Sequence, residues 1–307
     1  MAMRYRKLGK SDLNVSEIGL GAMSLNPDDE KGSIRLIHEA LDRGINFIDT
    51  ADLYHHGRNE ELVGKAIKDR RDQVILTTKV GNRWYPDGKS WYWDPSKEYI
   101  LSAVKESLRR LGTDYIDLYL LHGGTIDDPI DETIEAFEQL KEEGVIRWYG
   151  ISSIRPNVIR EYLKRSNIVS IMTQYSILDR RPEEETLELI RQNGVGVIAR
   201  GPLASGLLSE RWKEKVKEEG YLDHTADELK RMLDQLEKAA AAFGRRFSHM
   251  ALRYCMAHPA VTITLPGPRT LQQLDDILGV LETPELSENE LTKIRQLSKA
   301  NRYTLHR

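Results

Sequence analysis

Eight short apolar runs, separated by amphipathic helical stretches, predict an α/β protein built from βα units. Parallel strands joined by right-handed crossovers close naturally at eight into a (β/α)8 TIM barrel, with an open doubly wound sheet as the alternative. A second observation is the punctuation, since Gly44, Gly112, Gly144 and Gly194 stand where helices should stop. A third is uniformity. There is no internal repeat beyond the βα unit, no low-complexity tract and no linker, so residues 1–307 read as one domain.

Taken in order, "RYRKLGKSDLNV" reads as a short N-terminal β-hairpin turning at Gly9–Lys10. The strands are expected at "EIGLGA" (17–22), "NFIDT" (46–50), "VILTTKV" (74–80), "YIDLYLLH" (115–122), "IRWYGIS" (146–152), "IVSIMTQ" (168–174), "GVGVIAR" (194–200) and "VTITLPG" (261–267). Among the helices, "DPSKEYILSAVKESLRRLG" opens with Asp94 as N-cap and Pro95 at the first helical position, then closes on basic residues and Gly112. Helical periodicity in "SENELTKIRQLSKA" (287–300) predicts an extra C-terminal helix. Two regions exceed a minimal barrel: residues 82–99, with three of the five tryptophans, and a charged insertion from Leu207 to about Thr225. Loops of that length in a compact domain are usually functional.

Composition narrows the function classes. With 45 basic against 48 acidic residues and a formal charge of -3, nothing electrostatic calls for a nucleic-acid or anionic-membrane partner. The single cysteine, Cys255, excludes an internal disulfide framework and a Cys-rich metal site, which fits a reducing compartment. The start has no apolar stretch of signal-peptide length and no run approaches bilayer-spanning length, so a soluble, cytoplasmic protein is expected.

"GLGAMS" (19–24) places Gly19 and Gly21 in the first two positions of a dinucleotide-binding fingerprint, but Ser24 takes the third and "NPDDE" delays the helix. The better reading is a strand end at the barrel mouth, with Ala22 and Met23 available to a ligand. In such a barrel the C-terminal strand ends face the active site. Asp49 ends the second strand with Tyr54 in the loop behind it, Lys79 sits near the end of the third, and His122 ends the fourth. Singly, each has a bland reading as a cap, a solvent-seeking charge, a core histidine or a loop tyrosine. Together they can make a proton donor. A phenol, ordinarily titrating near pH ~10, is a poor acid near neutrality. A neighbouring ammonium favours the phenolate, and a carboxylate holding that ammonium fixes it and keeps it charged. His122 would then orient a carbonyl or relay a proton.

This set, with "GINFIDTADLY" leading into "GRNEELVGKAI", resembles the aldo-keto reductase family. The likeness runs through "VSEIGLGAM", "LTTK", "LRRLGTDYIDLYLLH", "GVIRWYGISS", "TQYS", "GPLASGLL" and "LPGPR" and covers nearly the whole chain. It implies an NADPH-dependent carbonyl reductase whose catalytic residues are Asp49, Tyr54, Lys79 and His122. By the same resemblance Ser152 and Gln174 would hold the nicotinamide carboxamide. Gly201, Pro202, Leu203, Ala204 and Gly206 would run along the pyrophosphate, with Arg211 reaching the same charge. Gly267 would open a helix N-terminus at the adenosine end, where Arg269 would fork onto a 2′-phosphate with Gln273 and Asp276 beside it.

Three positions depart from the family pattern: Ser153 and Ile277 stand where asparagines are usual, and Arg200 stands where an aromatic residue commonly stacks on the nicotinamide. Arg200 either lies flat against the ring, disfavouring its cationic form, or turns away to a loop carboxylate. Trp84, Tyr85, Trp91, Tyr92 and Trp93 are expected to wall a mainly apolar pocket for small aldehydes or ketones, aromatic ones included. Two rival readings are a nicotinamide-binding regulatory protein with little turnover and a metal-dependent hydrolase using Asp49, His55, His56 and His122. The second is disfavoured because strand one lacks the paired histidines such sites often use. A monomer is expected from the family habit.

Overall fold

The computed structural model describes residues 3–307. The chain opens with the expected hairpin, β1 (Tyr5–Lys7) and β2 (Asn14–Ser16), paired antiparallel with Tyr5 opposite Ser16. Its turn needs Gly9, which has φ +56° and lies so near strand backbone that an added Cβ would stand 2.3 Å from the Val169 carbonyl oxygen. Leu8, Leu13 and Val15 from this hairpin pack with Phe47, Leu118, Leu120 and Ile198. The hairpin therefore plugs the end of the barrel opposite the C-terminal strand ends.

The βα units follow as β3 (Leu20–Gly21), α1 (Glu30–Asp42), β4 (Phe47–Asp49), α2 (Arg58–Ile67) and β5 (Ile75–Val80). A short hairpin, β6 (Asn82–Trp84) and β7 (Trp91–Trp93), precedes α3 (Lys97–Leu111), β8 (Ile116–Leu121), α4 (Ile130–Glu142) and β9 (Ile146–Ser152). Next come α5 (Pro156–Arg165), β10 (Ser170–Gln174), α6 (Thr186–Gln192) and β11 (Gly196–Arg200). The chain ends with α7 (Ala226–Ala242), α8 (Phe247–Ala257), β12 (Val261–Leu265), α9 (Leu271–Leu278) and α10 (Glu288–Leu297).

The eight parallel strands pair in the order β3, β4, β5, β8, β9, β10, β11, β12. The ring closes through a parallel bridge between Ile18 and Thr264, with the Gly19 amide donating to the Thr264 carbonyl at 3.0 Å and the Gly21 amide to Pro266 at 2.9 Å. This is a (β/α)8 barrel. Because side chains alternate along each strand, one set fills the barrel interior and the other packs under the helices.

Three local expectations change. Helix α3 begins at Lys97 under a Ser96 N-cap, and Asp94 instead accepts hydrogen bonds from the Ser96 amide and hydroxyl. The aromatic segment after β5 is a hairpin, because Gly88 (φ +66°) turns the chain and Tyr85 and Ser90 pair across it. Between β11 and β12 the insertion is followed by two helices, the first entered through a Thr225–Glu228 capping box. The Gly112, Gly144 and Gly194 stops hold with φ of +63°, +74° and +67°, and α10 forms as predicted under a Ser287–Glu290 box. Among the described residues, no helix is long and apolar enough to cross a membrane.

Candidate active site

Asp49, Lys79 and His122 come from, or directly follow, the neighbouring strands β4, β5 and β8, so the barrel brings together residues far apart in sequence. Lys79 is almost wholly buried and uses all three ammonium protons. Its Nζ donates to Asp49 Oδ2 at 2.8 Å, to the Thr50 carbonyl at 2.7 Å and to Tyr54 Oη at 3.2 Å. The His122 ring meets the Tyr54 ring edge-on, with centroids 5.8 Å apart. The four predicted polar residues thus form one cluster.

Tyr54 is aimed by a strained turn. His55 and His56 both adopt left-handed backbone (φ +50° and +57°) before Gly57 (φ +82°), a conformation costing roughly 1–3 kcal/mol at each non-glycine residue. Packing holds it there: His56 stacks on Trp84 at 3.8 Å, and Arg110 fills the space where a Cβ on Gly57 would sit.

The electrostatics follow from burial and pairing. Burial opposes charge on Lys79, but Asp49 and Tyr54 together outweigh it and hold the ammonium above the ordinary lysine pKa. Burial, then the nearby charges of Lys79 and Arg200, push His122 well below the usual histidine range, so its imidazole is neutral near pH 7. The buried Nδ1 of His122 has no hydrogen-bond partner.

One side of the mouth is aromatic. Trp93 lies against Gly81 (φ +124°) and Gly123 (φ +143°), next to His122, and its Nε1 donates to Asp128 Oδ1 at 3.0 Å. Tyr85 and Tyr92 pack together at 4.7 Å, and Trp91 is half exposed beside them.

The aldo/keto reductase family model matches residues 17–299. The chain belongs to the aldo/keto reductase family. Among solved structures, it resembles the holo form of aldo-keto reductase AKR11C1 from Bacillus halodurans, at 56% identity with a TM-score of 0.93 and 99% of each chain covered. Among curated proteins, it is 52% identical to the uncharacterized oxidoreductase YqkF of Bacillus subtilis, over 99% of this chain and 100% of that one. It is 32% identical to a protein of Escherichia coli named NADH-specific methylglyoxal reductase, over 97% and 99% of the two chains.

Aldo-keto reductases use a nicotinamide cofactor, and the residues around the mouth fit one. After β11 the chain passes through Gly201 (φ +69°), Ala204 (φ +46°), Ser205 (φ +58°) and Gly206 (φ +90°), a tight loop in which the Ala204 and Gly206 amides donate to the Gly201 and Leu203 carbonyls. Across the barrel seam, Gly267 lies against Gly21 and Ser24, which flank buried Ala22 and exposed Met23 in the chain. Ser152 ends β9 as expected. Arg269 is exposed, and among the described residues no carboxylate lies within salt-bridge distance of its guanidinium.

Other predicted contacts are engaged within the protein. Gln174 Oε1 accepts from Arg200 Nη1 at 3.0 Å and its Nε2 donates to Tyr221 Oη at 3.0 Å. Arg200 therefore takes an amide, where a loop carboxylate was one of the expected alternatives. Gln273 Oε1 accepts from the Arg269 amide at 2.8 Å, Asp276 pairs with Arg246 at 2.8 Å, and Arg211 pairs with Glu214. Helix α9 starts at Leu271 under a Thr270 N-cap, so Gly267 sits in the turn ahead of it and does not open the helix. Tyr221 and Arg246 were not anticipated. Both lie in or beyond the charged insertion, where no strand or helix periodicity fixes the direction of a side chain.

Proposed function

We propose that this chain reduces aldehydes or ketones to alcohols with NADPH, and that Tyr54 supplies the proton. The carrying observation is the Lys79 ammonium, held by Asp49 and the Thr50 carbonyl with its third proton on the Tyr54 oxygen. A bound nicotinamide supplies the hydride.

The protein's task is the charge that then grows on the carbonyl oxygen. That oxygen would accept hydrogen bonds from Tyr54 Oη and from an N–H of the His122 ring, which, being neutral, donates without adding a positive charge. As the Tyr54 proton passes to the oxygen, the phenolate left behind faces an ammonium already desolvated and fixed, so no reorganisation is needed. Trp93, packed against Gly123 beside His122, supports an apolar wall for the carbonyl's substituents. The Arg269 guanidinium, unpaired among the described residues, supports a 2′-phosphate, hence NADPH, although one relative carries an NADH-specific name.

Steady-state NADPH oxidation with 4-nitrobenzaldehyde tests the reaction, and absence of turnover would favour the regulatory reading. Tyr54→Phe should lower kcat by roughly 10²–10⁴, the usual worth of a general acid. Its cofactor affinity, measured by fluorescence titration, should stay at the parental value. Parental turnover in that variant would remove Tyr54 from the mechanism.

A further inference from the structure

Behind the tetrad lies a second polar cluster that the mechanism above does not use. Lys79 points into the barrel, so its neighbour Thr78 points outward, opposite Tyr119 in the β5–β8 register. Helices α2 and α3 cover this face with Glu60, Tyr99 and Arg110. Glu60 is fully buried, and both its oxygens are engaged: Oε1 accepts from Thr78 Oγ1 at 2.6 Å and Oε2 from Arg110 Nε at 2.6 Å. Asp52 joins the cluster from the turn after β4, three residues beyond Asp49 and two before Tyr54. Its amide donates to the Lys79 carbonyl at 3.3 Å. Both its carboxyl oxygens are buried without a hydrogen-bond partner, as is Tyr119 Oη.

The charges do not balance if both acids are ionised. Two carboxyl groups share one guanidinium, since the Lys79 ammonium is committed to Asp49, Thr50 and Tyr54 on the other side of the sheet. Glu60 holds the guanidinium and a hydroxyl. Asp52 has neither, and an ionised, unpaired carboxylate in a dry interior costs far more than a protonated one.

We propose that Asp52 is a positioning residue that carries a proton at neutral pH, and that losing this proton at alkaline pH dislodges the turn bearing Tyr54. The groups facing it are Glu60 on α2, Tyr99 and Arg110 on α3, Thr78 and Lys79 on β5, and Tyr119 on β8. Burial, then the Glu60 carboxylate, drives the Asp52 carboxyl well above the ordinary range against smaller pulls from Arg110, the Leu53 amide and Lys79. When Asp52 ionises, its new charge sits beside Glu60 and is relieved by moving towards solvent. The 50–57 turn carries Asp52 and Tyr54 together and is already strained at His55 and His56, so displacing Asp52 loads the same backbone that the His56–Trp84 stack holds in place.

Linkage gives the sign. An unfolded aspartate loses its proton near pH ~3.9. Folded Asp52 keeps it, so rising pH above that value favours the unfolded chain until the folded group ionises. Asp52→Asn, a neutral isostere of the protonated acid, removes this drift, and its thermal midpoint should gain on the parent's as pH rises.

The inference concerns the proposed carbonyl reduction, but its first test needs no turnover. Infrared difference spectra of the parent against Asp52→Asn at neutral pH should contain the carbonyl stretch of a protonated carboxylic acid, and its absence overturns the proposal. In kinetics, Asp52→Ala should lose roughly 10- to 100-fold in kcat, as misplacing a catalytic group does. Asp52→Asn should recover most of that loss and shift or abolish the alkaline limb of the kcat profile. An alkaline limb identical to the parent's would equally overturn it. Should no carbonyl compound be turned over at all, the proposed function falls while the infrared band still reports on Asp52.

Discussion

At the residue scale, the proposed chemistry depends on a lysine without slack. Each ammonium proton of Lys79 has a partner, so the residue is a fixed positive field at one phenolic oxygen. Spacing within the sequence placed Asp49 and Tyr54 near one another, and the strand pattern placed Lys79 and His122 at neighbouring strand ends. The arginines were harder to assign. Arg200 and Arg246 are taken by acceptors far away in the chain, which no local pattern encodes, Arg211 is taken by Glu214 three residues on, and Arg269 is left unpaired among the described residues. If Arg269 holds a 2′-phosphate, Arg269→Ala should weaken NADPH binding by about 10- to 100-fold, the worth of a charge-assisted hydrogen bond of roughly 1.5–3 kcal/mol. NADH binding should barely change. Equal losses for both cofactors in parallel titrations would assign Arg269 another task.

At the element scale, the β6–β7 hairpin is the piece that a minimal barrel lacks. Its strands are only three residues long, and it persists because Trp93 wedges into space left by two glycines. A Cβ on Gly81 would stand 2.5 Å from the Trp93 ring, and one on Gly123 would stand 3.1 Å from it. Sequence flagged the cluster of tryptophans and read the segment as a loop, because the space that admits Trp93 is set by Gly81 before the hairpin and Gly123 after β8, which meet only in the fold. Trp93→Ala should raise KM for 4-nitrobenzaldehyde more than for propanal. A uniform change for both substrates would mean that the wall supports the fold and does not face the substrate.

At the scale of the whole molecule, the barrel keeps its two ends separate. The N-terminal hairpin seals one end with Leu8, Leu13 and Val15, and the cluster of Asp49, Tyr54, Lys79 and His122 stands at the other. Gly9→Ala should therefore destabilise the fold without touching the chemistry. The left-handed backbone and the clash with the Val169 carbonyl together put the expected cost at about 2–3 kcal/mol. The urea midpoint should fall while kcat measured well below it stays parental. An unchanged midpoint would show that the hairpin turn relaxes freely.

What the sequence by itself determined is what short-range physics governs. Apolar runs, glycine stops and capping boxes fix where the strands and helices lie, and eight parallel units leave few ways to close. Polar residues at strand ends mark the mouth. Only the tertiary structure decided which partners those residues take. It set Gln174 between Arg200 and Tyr221, moved the α9 cap from the predicted Gly267 to Thr270, and buried Asp52 beside Glu60 with no cation of its own. The physical reason is that a hydrogen bond or a desolvation cost depends on distances across the fold. Neighbours along the chain constrain those distances weakly.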